Sequence, residues 1–215
     1  MEPFHQRLLT ATQPIWKGIL AHPFLSAVAD NSIDEAVFKT WMAQDYLFIQ
    51  ASVPFLGVLL AKAPVHIRPM LGQSIVGFNS ELELFRQQAT ECGVDLTNEP
   101  TPTCHAFTQF LMATAYDRPF EVGFTVLYGG EKAYMDAWQH VKAQQQGVSP
   151  WQPFIDNWSS AAFQGYVDWI ATTLDALAAE KPEHVLREME QHFLYTARYE
   201  LLFWDMAQSG EQWPG

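Results

Sequence analysis

The chain is expected to be all-α, a multi-helix bundle, and three observations predict this. Apolar residues recur at three- and four-residue spacing nearly throughout. No run alternates apolar and polar residues between turn signals, so none demands a strand. With 215 residues, 48% of them apolar, the chain can build one generous core and is too short to make two domains natural. A single helical domain over residues 1–215 is therefore expected.

Taken in order, the first helix is expected from Phe4 to Leu20, ending near His22-Pro23. A second begins at Ser32, which has capping-box spacing to Glu35, and runs to Ala63 with a kink near Pro54. A third covers His66 to Cys92, with Gly93 as its stop. The segment Asn98–Thr103 is a loop, and Thr103 is expected to cap a helix from Cys104 to Tyr116. After the Asp117–Pro119 turn comes a helix from Phe120 to Gln145. Ser149 then caps a long helix from Pro150 to Glu180. Pro182 starts the last helix, which fades at Ser209-Gly210 and leaves 211–215 as a frayed tail.

Composition narrows the partners. Aromatics reach 14%, with fifteen Phe, eight Trp and seven Tyr, more ring surface than a core needs. Part of it can line a pocket for a flat ligand. Twelve basic against 24 acidic residues give a net charge of -12. Such a surface repels phosphate backbones and anionic membranes, so no nucleic-acid or membrane partner is expected, and a neutral or cationic small ligand is compatible. Two cysteines, Cys92 and Cys104, are too few for a disulfide framework. The start, MEPFHQRLL, has no basic segment followed by an apolar one, and a cytoplasmic location is expected. The most apolar run, Ala51 to Ala63, is too short to span a bilayer.

The informative signal is four acidic residues on apolar helix faces. Asp45 lies on the stripe of Val37, Trp41 and Phe48; Glu81 lies between Phe78 and Phe85. Glu131 shares a face with Leu127, Tyr134 and Trp138, and Glu200 with Phe193, Ala197 and Trp204. A bare buried carboxylate is costly, and one alone usually means a core acid satisfied by a Tyr, Trp or backbone donor. Four on four helices can converge, and at least three are expected around one cavity. Clustered carboxylates among rings serve two chemistries. One is metal binding, for which His184, Glu188 and His192 offer four-residue steps. Those three lie at about 0, 40 and 80 degrees around the helix, with Glu200 near 160, so the His face turns away from the carboxylate face. A solvated or interface His face is the competing reading. The other chemistry is hydrolysis of a protonatable heterocycle. One carboxylate accepts two hydrogen bonds from an amidine-like edge, rings stack on the heterocycle, and a second carboxylate moves a proton.

His22-Pro23-Phe24, Gln44-Asp45-Tyr46, Ser80-Glu81, Tyr134 and Tyr199-Glu200-Leu-Leu-Phe203-Trp204-Asp-Met-Ala207 together resemble the TenA/thiaminase II family, over about Phe4 to Gln208. The resemblance implies a haem-oxygenase-like fold, a homotetramer or dimer, and hydrolysis of an aminopyrimidine left by thiamin decay. It implies no metal and no cofactor. It implies that Asp45 grips the aminopyrimidine edge, that Glu200 is the acid/base residue, and that Tyr134 and Phe203 position or wall the ring. Glu81, Phe48, Phe107 and Trp158 would complete the binding residues. In the better-known branch a nucleophilic Cys stands about four residues before Tyr134, where this chain has Gly130. Phe48, Phe107 and Trp158 stand where family members often have Tyr, so the pocket should be drier. The pattern is similar to the Cys-lacking, Glu-type branch, linked to aminomethyl and formylaminomethyl pyrimidine salvage without thiaminase activity. Glu131, next to the lost Cys position, is the candidate replacement carboxylate; a structural acid paired with a nearby Lys or Tyr is the other reading. Two rivals stand beside the hydrolase: a non-catalytic binding or regulatory protein on the same scaffold, and a metal-dependent oxidase using His184, Glu188 and His192.

Overall fold

A computed structural model describes residues 2–214, which form ten helices and no strand. They are α1 (Phe4–Ala11), α2 (Gln13–Leu20), α3 (Pro23–Ala29), α4 (Glu35–Lys62), α5 (Arg68–Cys92), α6 (Pro102–Asp117), α7 (Phe120–Gln144), α8 (Gln152–Trp158), α9 (Ala161–Ala179) and α10 (Glu183–Ser209). The all-α expectation holds, and the differences lie at the punctuation.

Two expected helices are each divided. The first breaks at Thr12, whose hydroxyl donates back to the Leu8 carbonyl (2.9 Å), with Pro14 opening the next turn. The expected Pro150–Glu180 helix breaks at Ser159-Ser160, because Ser160 caps α9 by accepting from the Phe163 N–H (3.1 Å). Serine and threonine side chains compete with the helix ladder for backbone groups, and here they win. His22-Pro23 begins a helix as well as ending one: Pro23 opens α3 and His22 Nδ1 accepts from the Phe24 N–H (3.2 Å). Two caps are also displaced. Asp34, not Ser32, caps α4 by accepting from the Ala36 N–H (2.7 Å). Thr101, not Thr103, caps α6 by accepting from the Cys104 N–H (3.3 Å). Gly93 ends α5 as expected, in the left-handed conformation (φ 68°) that glycine adopts without Cβ strain.

The chain divides into two compact units, with boundaries inside α7 and α10. The first comprises Met1–Ile33 and Phe124–Trp204. In it Trp16, Phe193 and Tyr128 stack in sequence at 5.7 and 5.8 Å, and α1 packs on α9. Gly129 lies at a close approach of α7 to α10: a Cβ there would sit 2.8 Å from Thr196 Cγ2 and 3.1 Å from Thr196 Cβ. Thr196 is fully buried, β-branched and anchored by a hydrogen bond to the His192 carbonyl (2.9 Å), so it has little room to yield. Overpacking costs about 1–3 kcal/mol, and the better helix propensity of alanine returns about 1 kcal/mol. Gly129→Ala is therefore expected to lose up to about 2 kcal/mol in urea unfolding; an unchanged midpoint would contradict the close approach.

The second unit comprises Asp34–Gly123 and Asp205–Gly215. Its spine is α4, which packs against α5 and α6. Pro54 lies inside α4 without ending it; Phe55, Leu56 and Leu59 just beyond are buried. The apolar run Ala51–Ala63 thus belongs to a 28-residue helix that has the length and apolarity of a membrane span, the only such helix among the described residues. Half of its most apolar window is buried inside the protein, and Gln44 and Asp45 are among its buried side chains. Lys62 at its end donates to the carbonyls of Ala115, Tyr116 and Arg118 (2.5, 2.8 and 2.8 Å), a cation at the negative end of α6. The tail after α10 has no regular structure, yet it is tied down. The Glu211 carboxylate accepts from the Thr103 N–H and hydroxyl (2.9 and 3.0 Å), and Trp213 Nε1 donates to the Pro100 carbonyl (2.8 Å).

Candidate active site

In the first unit, α3, α7, α8 and α10 build a wall of rings. Tyr134 stacks on Trp204 (5.7 Å, 29°) and meets Trp158 edge-on (5.5 Å, 75°). Trp158 stacks in turn on Trp138 (5.4 Å, 26°) and Phe154 (6.0 Å, 12°). Phe24, placed by the His22 cap, lies 5.1 Å from Trp204. Offset and edge-on pairs of this kind satisfy the ring quadrupoles and hold each side chain in one orientation. Phe203, also buried, belongs to the same stretch of α10.

Two buried carboxylates belong to this unit. Glu200 on α10 is 1% exposed and Glu131 on α7 is 8% exposed. Gly130, the neighbour of Gly129, is less tightly placed: a Cβ added there would lie at ordinary contact distance, 3.5 Å, from Glu200 Oε1. Position 130 therefore faces the Glu200 carboxylate. The apolar faces read for Glu131 and Glu200 are both buried, as their spacing predicted. Elsewhere in the unit, Lys132 is paired with Asp136 (2.5 Å), which also accepts from Trp16 Nε1 (2.9 Å).

The second unit holds Asp45, Phe48, Glu81 and Phe107. Asp45 is completely buried on α4. Phe48 and Phe107 pack at 4.7 Å, so α4 and α6 meet through rings that carry no hydroxyl. Glu81 on α5 is only half-buried, less enclosed than its position between Phe78 and Phe85 suggested. Gln44, known from the sequence only as part of the Gln44-Asp45-Tyr46 motif, has a structural task. Its buried amide accepts from the Thr101 N–H (2.8 Å) and donates to the Glu99 carbonyl (3.1 Å), clamping the start of α6 to α4 beside Asp45. The signal was available: an amide among the apolar residues of a core helix needs partners.

Cys104 also belongs to this corner, its thiol donating to the Gln44 carbonyl (3.5 Å). Burial, with the charges of Asp45 and Glu211 adding to it, pushes the Cys104 thiol up to about 12, so it stays protonated at neutral pH. Cys92 is partly exposed. Titration of the folded protein with a thiol reagent is expected to modify Cys92 and to reach Cys104 only after denaturation. Rapid modification of both would contradict the inert assignment of Cys104.

Among the described residues, no group of three or more His, Cys, Asp and Glu side chains is arranged to hold a metal ion. In the sequence-proposed set of His184, Glu188 and His192, His192 Nδ1–H donates to the Glu188 backbone carbonyl (2.8 Å) and His184 is exposed on the same helix.

Residues 9–210 match the family described as TENA/THI-4/PQQC. A curated relative from Helicobacter pylori, named aminopyrimidine aminohydrolase, is 27% identical over 211 residues, covering 94% of this chain and 97% of the relative. A TenA homologue from Pyrococcus furiosus, solved by X-ray crystallography, superposes with a TM-score of 0.94 at 35% identity, covering 95% of this chain and 99% of that one. A domain from Shewanella denitrificans described as having a haem-oxygenase-like fold superposes with a TM-score of 0.78 at 13% identity, covering 95% and 92%. That likeness concerns the fold alone, which is haem-oxygenase-like here too.

Proposed function

The chain belongs to the TENA/THI-4/PQQC family, and on that premise we propose that it is an aminopyrimidine aminohydrolase serving thiamin salvage. Its substrate is an aminomethyl or formylaminomethyl pyrimidine and its product the hydroxymethyl pyrimidine. The observation that carries this reading is the Glu200 carboxylate, buried on α10 one turn before Trp204 of the ring wall and faced by Gly130, which has no nucleophilic side chain. The full-length match to a relative named for this activity supports it.

In this reading water is the nucleophile. Its oxygen forms a bond to the exocyclic methylene carbon as the carbon–nitrogen bond breaks. Glu200 takes a proton from the water and returns one to the departing nitrogen, which leaves as ammonia from the aminomethyl pyrimidine or as formamide from the formylaminomethyl one. One carboxylate can serve both transfers because it is a base toward the water and, once protonated, an acid toward the leaving nitrogen. Glu131, the neighbour of Gly130 on α7 and likewise buried, is the second carboxylate given a share in the proton transfer. Tyr134, Trp158 and Phe203 hold the ring by its faces and edge. Asp45, completely buried in the second unit, has the chemistry to accept from an amidine-like edge, an interaction that raises a ring nitrogen's basicity and lets the ring take up electron density. Phe48 and Phe107 contribute apolar ring surface, and Glu81 is a peripheral acid. No thiolate takes part.

Purified protein supplied with the aminomethyl pyrimidine is expected to release ammonia and hydroxymethyl pyrimidine in equal amounts. Alkylating the accessible thiol should leave the rate unchanged. Folded protein with no turnover above buffer would overturn the hydrolase reading, and tight binding without turnover would install the binding-protein alternative. A cytoplasmic homotetramer or dimer is the assembly that goes with this reading, tested by light scattering of the purified protein.

A further inference from the structure

Gly129 and Gly130 are adjacent in α7, yet only one of them is required by packing. A Cβ at Gly129 would collide with Thr196, whereas a Cβ at Gly130 would meet only Glu200 Oε1, at an ordinary contact distance of 3.5 Å. No backbone strain asks for glycine there either, because Gly130 is not among the positive-φ residues. Glycine is the least favourable residue inside a helix after proline, so at position 130 the fold forgoes local stability with no structural return. What the missing methyl group leaves is space against a carboxylate oxygen.

We propose that Gly130 keeps open the seat of the attacking water on Glu200 Oε1, making it a residue that permits hydrolysis by water. The inference rests on the hydrolase reading above. An oxygen hydrogen-bonded to Oε1 from the α7 side lies about 2.7 Å from it, within the volume a methyl group at position 130 would fill. A general base must lie within hydrogen-bond reach of the proton it removes. The α7 side of Oε1 meets that condition: apart from this oxygen and the backbone of α7 around Gly130, no atom lies within 4 Å of the point a Cβ would occupy. From it the water gives one proton to Oε1 and its oxygen to the methylene carbon. The carbon–nitrogen electron pair goes to the leaving nitrogen, which takes up the proton from the carboxyl group.

The test is Gly130→Ala, with Gly130→Ser as a second variant, in the full chain. Alanine fits without collision and favours the helix, so Tm is not expected to fall. The expected result is a kcat at least about tenfold lower with KM within about threefold of the original, the signature of a contact that serves the chemical step alone. Serine places its own hydroxyl in the seat and should fall with alanine. Added to Glu200→Gln, Gly130→Ala should lower the rate no further, because both remove the same water. Wild-type turnover with an unimpaired Gly130→Ala variant would overturn the seat and leave the hydrolase reading intact. A further loss on Glu200→Gln would overturn it too, and a wild-type protein without turnover would overturn both.

Discussion

Replacing Glu200 with Gln is expected to lower kcat for ammonia release by about 10²- to 10⁴-fold, the usual worth of a positioned acid/base group. Glutamine keeps the shape of the side chain and its hydrogen-bonding reach but can neither take up nor return a proton. Glu200 is 1% exposed, on a helix whose neighbouring side chains include Phe203 and Trp204, both buried. Bulk solvent therefore has little access to stand in as base. The substitution also removes a buried acidic group without changing packing volume, so the folded state should survive it. KM should move far less than kcat, because the group acts in the transition state more than in binding. Initial rates with thermal unfolding of the same preparations check the expectation. A stable variant with full activity would remove Glu200 from the mechanism.

Trp204→Ala carries the largest expected effect on stability, a loss of about 3–5 kcal/mol. The indole is 1% exposed and touches three other rings: Phe24 at 5.1 Å, Tyr134 at 5.7 Å and Trp138 at 6.3 Å. Those rings come from α3 and α7, so a truncation leaves a cavity bounded by rigid aromatic groups that cannot collapse into it. Domains of this kind are stable by only about 5–15 kcal/mol, so the loss is a large share of the total. Leu202, two positions earlier on α10 and 46% exposed, is the control. Its replacement by alanine should change stability by no more than about 0.5 kcal/mol. Urea unfolding of both variants makes the comparison, and a Trp204→Ala loss no larger than that of Leu202→Ala would refute the ring-wall assignment.

The ring wall shows how far helical spacing reaches. Glu131, Tyr134 and Trp138 share a face by their three- and four-residue steps, and all three are buried. The same holds for Phe193, Ala197, Glu200 and Trp204. Glu81 is the instructive exception. Its neighbours Phe78 and Phe85 are buried, but the side chain itself lies at the margin of their stripe and is half-buried. A stripe's axis is legible from periodicity, whereas its width depends on what packs against it.

The all-α class, the stop at Gly93 and the burial of Asp45, Glu131 and Glu200 were legible in the amino-acid order, because each follows from covalent geometry or a helical repeat. Tertiary structure decided the rest. Thr101 and Thr103 are equally able caps, and the choice between them fell to Thr101 where Gln44 holds its backbone N–H and Glu211 occupies Thr103. Likewise Gly129 and Gly130 look alike in the sequence, and only the approach of α10 makes one a packing necessity and the other an opening onto Glu200. Local rules supply several near-equal options at such points, and partners distant in the chain separate them by about 1 kcal/mol or more.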